Sequence, residues 1–324
     1  MSEIVNIDEK DRKILAELDK DARQPDSVIA RRVHVSKQVV HYRIKRLLDQ
    51  KLVTSFYTVV DVGKLGYSSY YVFLQFERLN EEEEKTLLER IRQRHSVGWL
   101  VSGTGRWDAV VLLYASSTSE FDSILSELLE LCKNHIHEYR FTQLLSAEHI
   151  GYRIFQSKQT IVRQSEQQNR VSLDVIDTNI LRVLSQDARI SIVNLAERIR
   201  QPLHIVHYRL KELKRKKIIE AFKPKIAVGK LGYQWHLLLL QLAPVGMLQK
   251  QKFMDFCKSH PAVYYVTNTI GDYNVMLDVH VRSTEEFRGV LSTFKKEFAD
   301  SIRTYESIII FDEYKIDYFP KLFE

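Results

Sequence analysis

The chain has 324 residues, 44% of them apolar and 28% charged, which is enough for two to four domains with substantial cores. It holds no 18-residue apolar run, and residues 1–10 are polar, so neither a membrane span nor a signal peptide is expected and a cytoplasmic location is the default. A net charge of +6 is too mild to name a partner, and the placement of the charges matters more than their sum. The two cysteines, Cys132 and Cys257, lack C-x-x-C spacing and read as buried thiols with no disulfide or metal role.

In chain order, Asp8 caps an apolar pattern at Ile14, Leu15 and Leu18, which predicts a first helix with Asp11 in its first turn. A second short helix follows from Val28, Ile29, Ala30 and Val33. After the connection His34-Val35, Ser36 opens a third helix that turns Val40, Ile44, Leu47 and Leu48 inward. Three short helices with a tight turn between the last two describe a helix-turn-helix, and the β-rich segment 52–60 is expected to be its wing.

From Tyr67 the pattern becomes strand 69–76, helix 81–94, strands 97–102 and 107–114, helix 119–132 and strand 136–145, a βαββαβ ferredoxin-like sandwich. Ile150, Tyr152 and Ile154 alternate as an added strand would, and the polar segment 156–170 reads as a linker.

The whole pattern then recurs. From Ile7 to Tyr67 each residue has a counterpart 166 positions later without a gap, and 24 of the 61 pairs are identical, among them Asp21-Ala22-Arg23/Asp187-Ala188-Arg189 and His41-Tyr42-Arg43/His207-Tyr208-Arg209. The second sandwich is expected at 234–242, 249–259, 263–269, 273–281, 284–298 and 302–310. The predicted fold is α+β, with winged helix-turn-helix domains at 1–60 and 171–226, and ferredoxin-like sensing and dimerisation domains at 61–155 and 227–324.

Ile7-Asp8 with Asp11, Asp21-Ala22-Arg23, Ser36 with Arg43-Ile44-Lys45-Arg46-Leu47, Lys64-Leu65-Gly66-Tyr67 and Gly105-x-x-Asp108 together resemble the Lrp/AsnC family of regulators. The resemblance covers almost the whole chain twice. It implies a sequence-specific regulator that binds double-stranded DNA, a sandwich sometimes tuned by an amino acid, and further homo-oligomerisation. Family members usually carry one unit, so the two fused copies read as an intramolecular pseudo-dimer. The second copy departs from the pattern at Pro202, which stands where Ser36 does, and at Asn274, which stands where Asp108 does.

Residues expected to meet DNA are Lys37, Gln38, His41, Tyr42, Arg43, Lys45 and Arg46, with His204, His207, Tyr208, Arg209, Lys211 and Lys214 on the comparable face of the second copy. For Arg43 an ion pair with an acid of the first helix is an equal alternative. With its cap lost, the second helix-turn-helix is expected to contribute mainly phosphate attraction through the basic run 211–217. Gly103, Gly105 and Asp108, with Gly271 and Asn274 in the second copy, form the candidate effector loop, whose alternative role is a plain strand-joining turn. His204 and His207 lack further ligands for a metal, and no cofactor or catalytic residue is indicated. Two other readings stand beside the regulator. One is a sirohaem decarboxylase-like enzyme of similar architecture, although the segment 263–269 lacks the His and Arg residues those enzymes carry there. The other is a DNA organiser of low specificity.

Overall fold

The computed structural model of the protein describes residues 4–155, 161–164, 170–244 and 246–319. The first copy runs α1 Glu9–Lys20, α2 Asp26–Val33, α3 Lys37–Asp49, β1 Val53–Val60, β2 Ser68–Phe76, α4 Glu81–Arg92, β3 Val97–Gly105, β4 Ala109–Ala115, α5 Thr118–Cys132 and β5 Ile136–His149, followed by β6 Ile161–Gln164. The second runs α6 Val175–Gln186, α7 Ile192–Arg198, α8 Leu203–Arg215, β7 Ile219–Ile226, β8 Gln234–Leu242, α9 Met247–Ser259, β9 Val263–Gly271, β10 Val275–Val281, α10 Thr284–Phe298 and β11 Ile302–Ile316. The α+β fold and the two tandem helix-turn-helix domains are as expected from the sequence.

Compact units form by kind of domain and not by copy. One unit gathers residues 1–61, 149–161 and 173–233, and the other 62–148, 162–172 and 234–324.

Local chemistry sets the helix starts in the first unit. Asp8 and Asp11 form a reciprocal capping box at α1, and Ser36 Oγ accepts from the Val39 amide at 3.2 Å to start α3. Pro202 offers α8 no side-chain cap, yet its φ of −57° already suits a helix start, and α8 is as long as α3, at 13 residues. His34 and Arg200, with φ of 58° and 53°, reverse the chain between the second and third helices of each copy.

The segment expected as a wing forms a strand, and its partner lies in the other copy. β1 pairs antiparallel with β7, its counterpart in the other copy, in a two-stranded sheet with Phe56 opposite Pro224 and Thr58 opposite Phe222. A lone strand would leave a row of amides and carbonyls unpaired; the same strand of the duplicate satisfies them.

In the second unit the strands follow the order β2-β4-β3-β11-β8-β10-β9-β5, and β5 also pairs with β2, so the eight strands close into a ring, with β6 alongside β5. The long strands β5 and β11 each pair in their own copy and in the other; β11 meets β8 on one edge and β3 on the other. This is the pseudo-dimeric pairing expected from the sequence. Its physical basis is the sheet face that the helices leave open, where Tyr71, Phe73, Trp107, Leu237, Tyr273 and Ile308 of both copies bury one another. Helices α4 and α5 cover the opposite face of the first sheet through Leu88, Ile91, Leu125 and Leu128.

The added strand expected at 150–154 does not form. β5 continues to His149, Gly151 turns the chain at φ 93°, and 153–155 make a 3-10 turn, while the equivalent Ile316 simply ends β11. Of the expected linker 156–170, residues 156–160 and 165–169 lie outside the described residues, and 161–164 form β6.

Candidate DNA-binding surface

The apolar side of α3 buries Val40, Ile44 and Leu47 against α1 and α2, which leaves Lys37, Gln38, His41, Tyr42 and Lys45 exposed on the opposite side. Tyr42 is 66% exposed. Lys37, Gln38, Tyr42 and Lys45 make no side-chain hydrogen bond or ion pair with the described residues. His41 Nδ1 lies 3.2 Å from Asp26 Oδ2, which leaves its other ring nitrogen outward.

The two arginines behave differently. Arg43 Nη1 donates to Asp8 and Asp11 at 2.8 Å each, and Arg46 Nη2 donates to the other oxygen of Asp11, whose side chain is only 1% exposed. A backbone amide from Asp11, aided by Arg43, holds the Asp8 carboxyl at about 2. Both arginines therefore brace α3 against the capping box of α1, and the ion-pair alternative for Arg43 is the arrangement observed. In the second copy Arg209 repeats the brace, to Asp174 at 2.7 Å and Asp177 at 3.4 Å. Arg46 has become Glu212, which pairs with Arg215 instead, and Asp177 is left with an unpartnered buried oxygen. Burial, with Asp174 beside it, raises the Asp177 carboxyl above its ordinary range.

On α8, His204, His207, Tyr208, Lys211 and Lys214 are exposed, with Tyr208 60% exposed and Lys214 Nζ 5.5 Å above the Phe222 ring. The two recognition faces thus share a His-Tyr pair and cations of similar placement.

The Asp-Ala-Arg block does something the sequence reading missed. Arg23 Nη1 donates to Ala188 O at 2.6 Å while Arg189 donates to Ala22 O. The Ala22 and Ala188 amides bond to Phe222 O and Phe56 O, and each guanidinium covers a phenylalanine of the opposite copy. A self-complementary contact needs the same residues on both sides, which accounts for this identity at an offset of 166. The signal was visible in the repeat itself.

In the sandwich unit, Gly103 and Gly105 are part of β3, and a β-carbon at either would lie 2.4 Å from a carbonyl oxygen of β11. The Gly103 amide is occupied by Asp108 O, and the Asp108 carboxylate accepts from the Phe76 amide at 2.7 Å. Asn274 Oδ1 accepts from the equivalent Leu242 amide at 2.8 Å, so the Asp-to-Asn departure preserves the bond. A β-carbon on Gly271, at φ 131°, would lie 2.9 Å from Phe141 O of the other copy. The three glycines thus shape the crossing of the two copies, while Asp108 and Asn274 each tie down backbone within their own copy. Beside them, Trp107 Nε1 donates to Tyr273 Oη at 2.8 Å, and Tyr273 Oη donates to Glu306 at 2.5 Å. Burial and the Glu306 carboxylate push the Tyr273 phenol up. This cluster was also missed, because Trp107 and Tyr273 are repeat equivalents that differ in type. Among the described residues no His, Cys, Asp or Glu group of three or more has the arrangement to hold a metal, and no helix is long and apolar enough to cross a membrane.

Paired helix-turn-helix domains with exposed basic faces, and a closed sandwich unit, are the architecture of the Lrp/AsnC-type helix-turn-helix proteins. Residues 7–48 match the AsnC-type helix-turn-helix domain, 173–220 a winged helix-turn-helix DNA-binding domain, and 239–318 the Lrp/AsnC ligand binding domain. An uncharacterized HTH-type transcriptional regulator of Pyrococcus abyssi is 33% identical over 116 residues, 35% of this chain and 77% of its own. Regulatory protein AsnC of Haemophilus influenzae is 28% identical over 143 residues, 43% of this chain and 91% of its own. The chain belongs to the Lrp/AsnC family. A solved siroheme decarboxylase, NirDL, shares the two-copy fold with a TM-score of 0.64 and 16% identity, covering 97% of this chain and 95% of that one.

Proposed function

We propose that the protein is a transcription regulator that binds double-stranded DNA sequence-specifically through α3, with α8 adding a second contact. The observation that supports this most is the division of labour on α3. Its arginines are taken up by Asp8 and Asp11, while Lys37, Gln38, His41, Tyr42 and Lys45 stay exposed beyond a capped helix start. Side chains near the start reach base edges and the cations meet phosphates. On α8 the apolar Leu203, 48% exposed, takes the place of Lys37, so that copy is assigned mostly phosphate contacts.

The sandwich unit is the assigned seat of tuning by a small ligand of the amino-acid class, and of assembly beyond the single chain. Gly103, Gly105, Asp108, Gly271 and Asn274 support that seat by fixing its backbone.

Binding to DNA selected from a random pool, measured over a range of salt, tests the reading. Lys37→Ala and Lys45→Ala should each lower the salt slope by about 1, and Gln38→Ala should relax preference at particular bases. Footprints should show one well-protected half-site, and equal protection of two identical inverted half-sites would contradict the unequal roles. A second reading, a decarboxylase acting on sirohaem, is suggested by the two-copy fold shared with NirDL. Absorbance after adding sirohaem tests it, and an unshifted spectrum counts against it. A DNA organiser of low specificity would bind selected and random DNA alike.

A further inference from the structure

The two copies treat one groove of the helix-turn-helix in opposite ways. In the first, Glu17 of α1 sits at only 9% side-chain exposure and accepts from Lys20 at 2.5 Å and from Arg32 at 2.7 Å. Burial opposes its ionisation, but these two donors outweigh burial and hold the carboxyl below its usual range. The groove thus carries its own anion.

In the second copy the position of Glu17 is Val183, so the groove loses its acid, and it keeps three cations in a new arrangement, with Asn179 and Gln186 standing where Lys13 and Lys20 do. Arg32 is retained as Arg198, His34 is replaced by Arg200, and Ala16 by Arg182. Together with Asn179, Gln186 and Ile199 they line a groove of about 340 Å³ that has no carboxylate in its wall. Arg182 donates to Asn179 at 3.0 Å, whereas the Arg198 and Arg200 side chains make no hydrogen bond or ion pair with the described residues. Glu197, beside Arg198, lines the neighbouring groove with Val193 and Leu203, and Arg200 stands in the wall between the two grooves. Arg200 is held there by the left-handed turn at the end of α7, at a φ of 53°.

We propose that this groove between α6 and α7 binds a phosphoryl group or a comparable tetrahedral oxyanion, which takes the place that the Glu17 carboxylate fills in the first copy. Guanidinium forks match such an anion with paired N–H donors, and Val183 at the floor leaves room where a carboxylate would project. The phosphoryl group has two sources, a free small anion or the backbone of bound DNA. The second rests on the DNA-binding reading above; the first does not.

The test uses the full chain. Inorganic phosphate, compared with chloride at equal ionic strength, should raise the melting temperature by about 3 °C at tenfold excess over its dissociation constant. Val183→Glu, which restores the internal anion of the first copy, and the double variant Arg198→Gln/Arg200→Gln should both abolish that response. Val175→Glu, an equal charge change at the exposed start of α6, should not. The same variants are then run on DNA. A salt slope lower by about 1 in both groove variants, and not in Val175→Glu, assigns the site to backbone phosphate. Loss of the phosphate response with an unchanged slope assigns it to a free oxyanion. If both groove variants match wild type in both assays, or Val175→Glu mimics them, the proposal is overturned.

Discussion

Replacing Arg43 with glutamine separates a scaffold role from a phosphate contact. Arg43 lies between Asp8, whose side chain is 54% exposed, and Asp11, at 1%. The exposed partner contributes little, because water already solvates it. The buried partner decides the size of the effect. Asp11 would keep Arg46 and the Asp8 amide at 3.1 Å, so it loses one charged donor and not its only cation. The expected cost is therefore about 1.5–3 kcal/mol, below the roughly 3–5 kcal/mol of a buried charge left alone. Urea unfolding measures the loss of stability, and DNA titrations against salt measure the contact. Arg43→Gln should lower the urea midpoint and leave the salt slope unchanged. A slope reduced by about 1 with unchanged stability would refute the scaffold assignment.

Lys223 and Asp19 are both fully buried, joined at 3.2 Å, and Asp19 also accepts from the Tyr152 amide. Lys223→Met should cost about 3–5 kcal/mol in urea unfolding, with most of it recovered on adding Asp19→Asn; a loss under about 1 kcal/mol would contradict the pairing. Burial pushes the Asp278 carboxyl up to about 7, beyond what its bond from Trp235 Nε1 at 2.7 Å can offset. The folded protein then keeps a proton that the unfolded chain releases near 3.8, so this contribution is full at low pH and is lost as pH rises from about 4 to about 7. Asp278→Asn should flatten the melting temperature over that window and raise it at pH 8, and an unchanged profile would argue against a buried, protonated Asp278.

Much of the fold could be read in the sequence because the signals were local. Capping at Asp8 and Ser36, the apolar spacing of α3 and the βαββαβ order all lie within short windows of chain. What could not be read was non-local. The segment 53–60 looks the same whether it folds back as a wing or pairs with 219–226, and only the other copy decides. The alternation at 150–154 likewise gave way to a turn at Gly151. For the site, exposure of Lys37, Gln38 and Tyr42 followed from helical period, but the fate of Arg43 and Arg46 depended on Asp11, more than thirty residues away. The glycines of the candidate effector loop had a packing reason, the closeness of β11 to Gly103 and Gly105 and of β5 to Gly271, that no spacing within one copy could reveal.

The most direct test of the account is binding of the full chain to its selected DNA by a variant with Lys37, Gln38, His41 and Tyr42 all changed to alanine. These exposed side chains leave the core of α3 untouched, so the variant should fold with a near-normal melting temperature. It should lose discrimination between selected and random DNA and retain only weak, salt-sensitive binding. Unchanged affinity and discrimination in the folded variant would contradict the assignment of α3 as the reading helix.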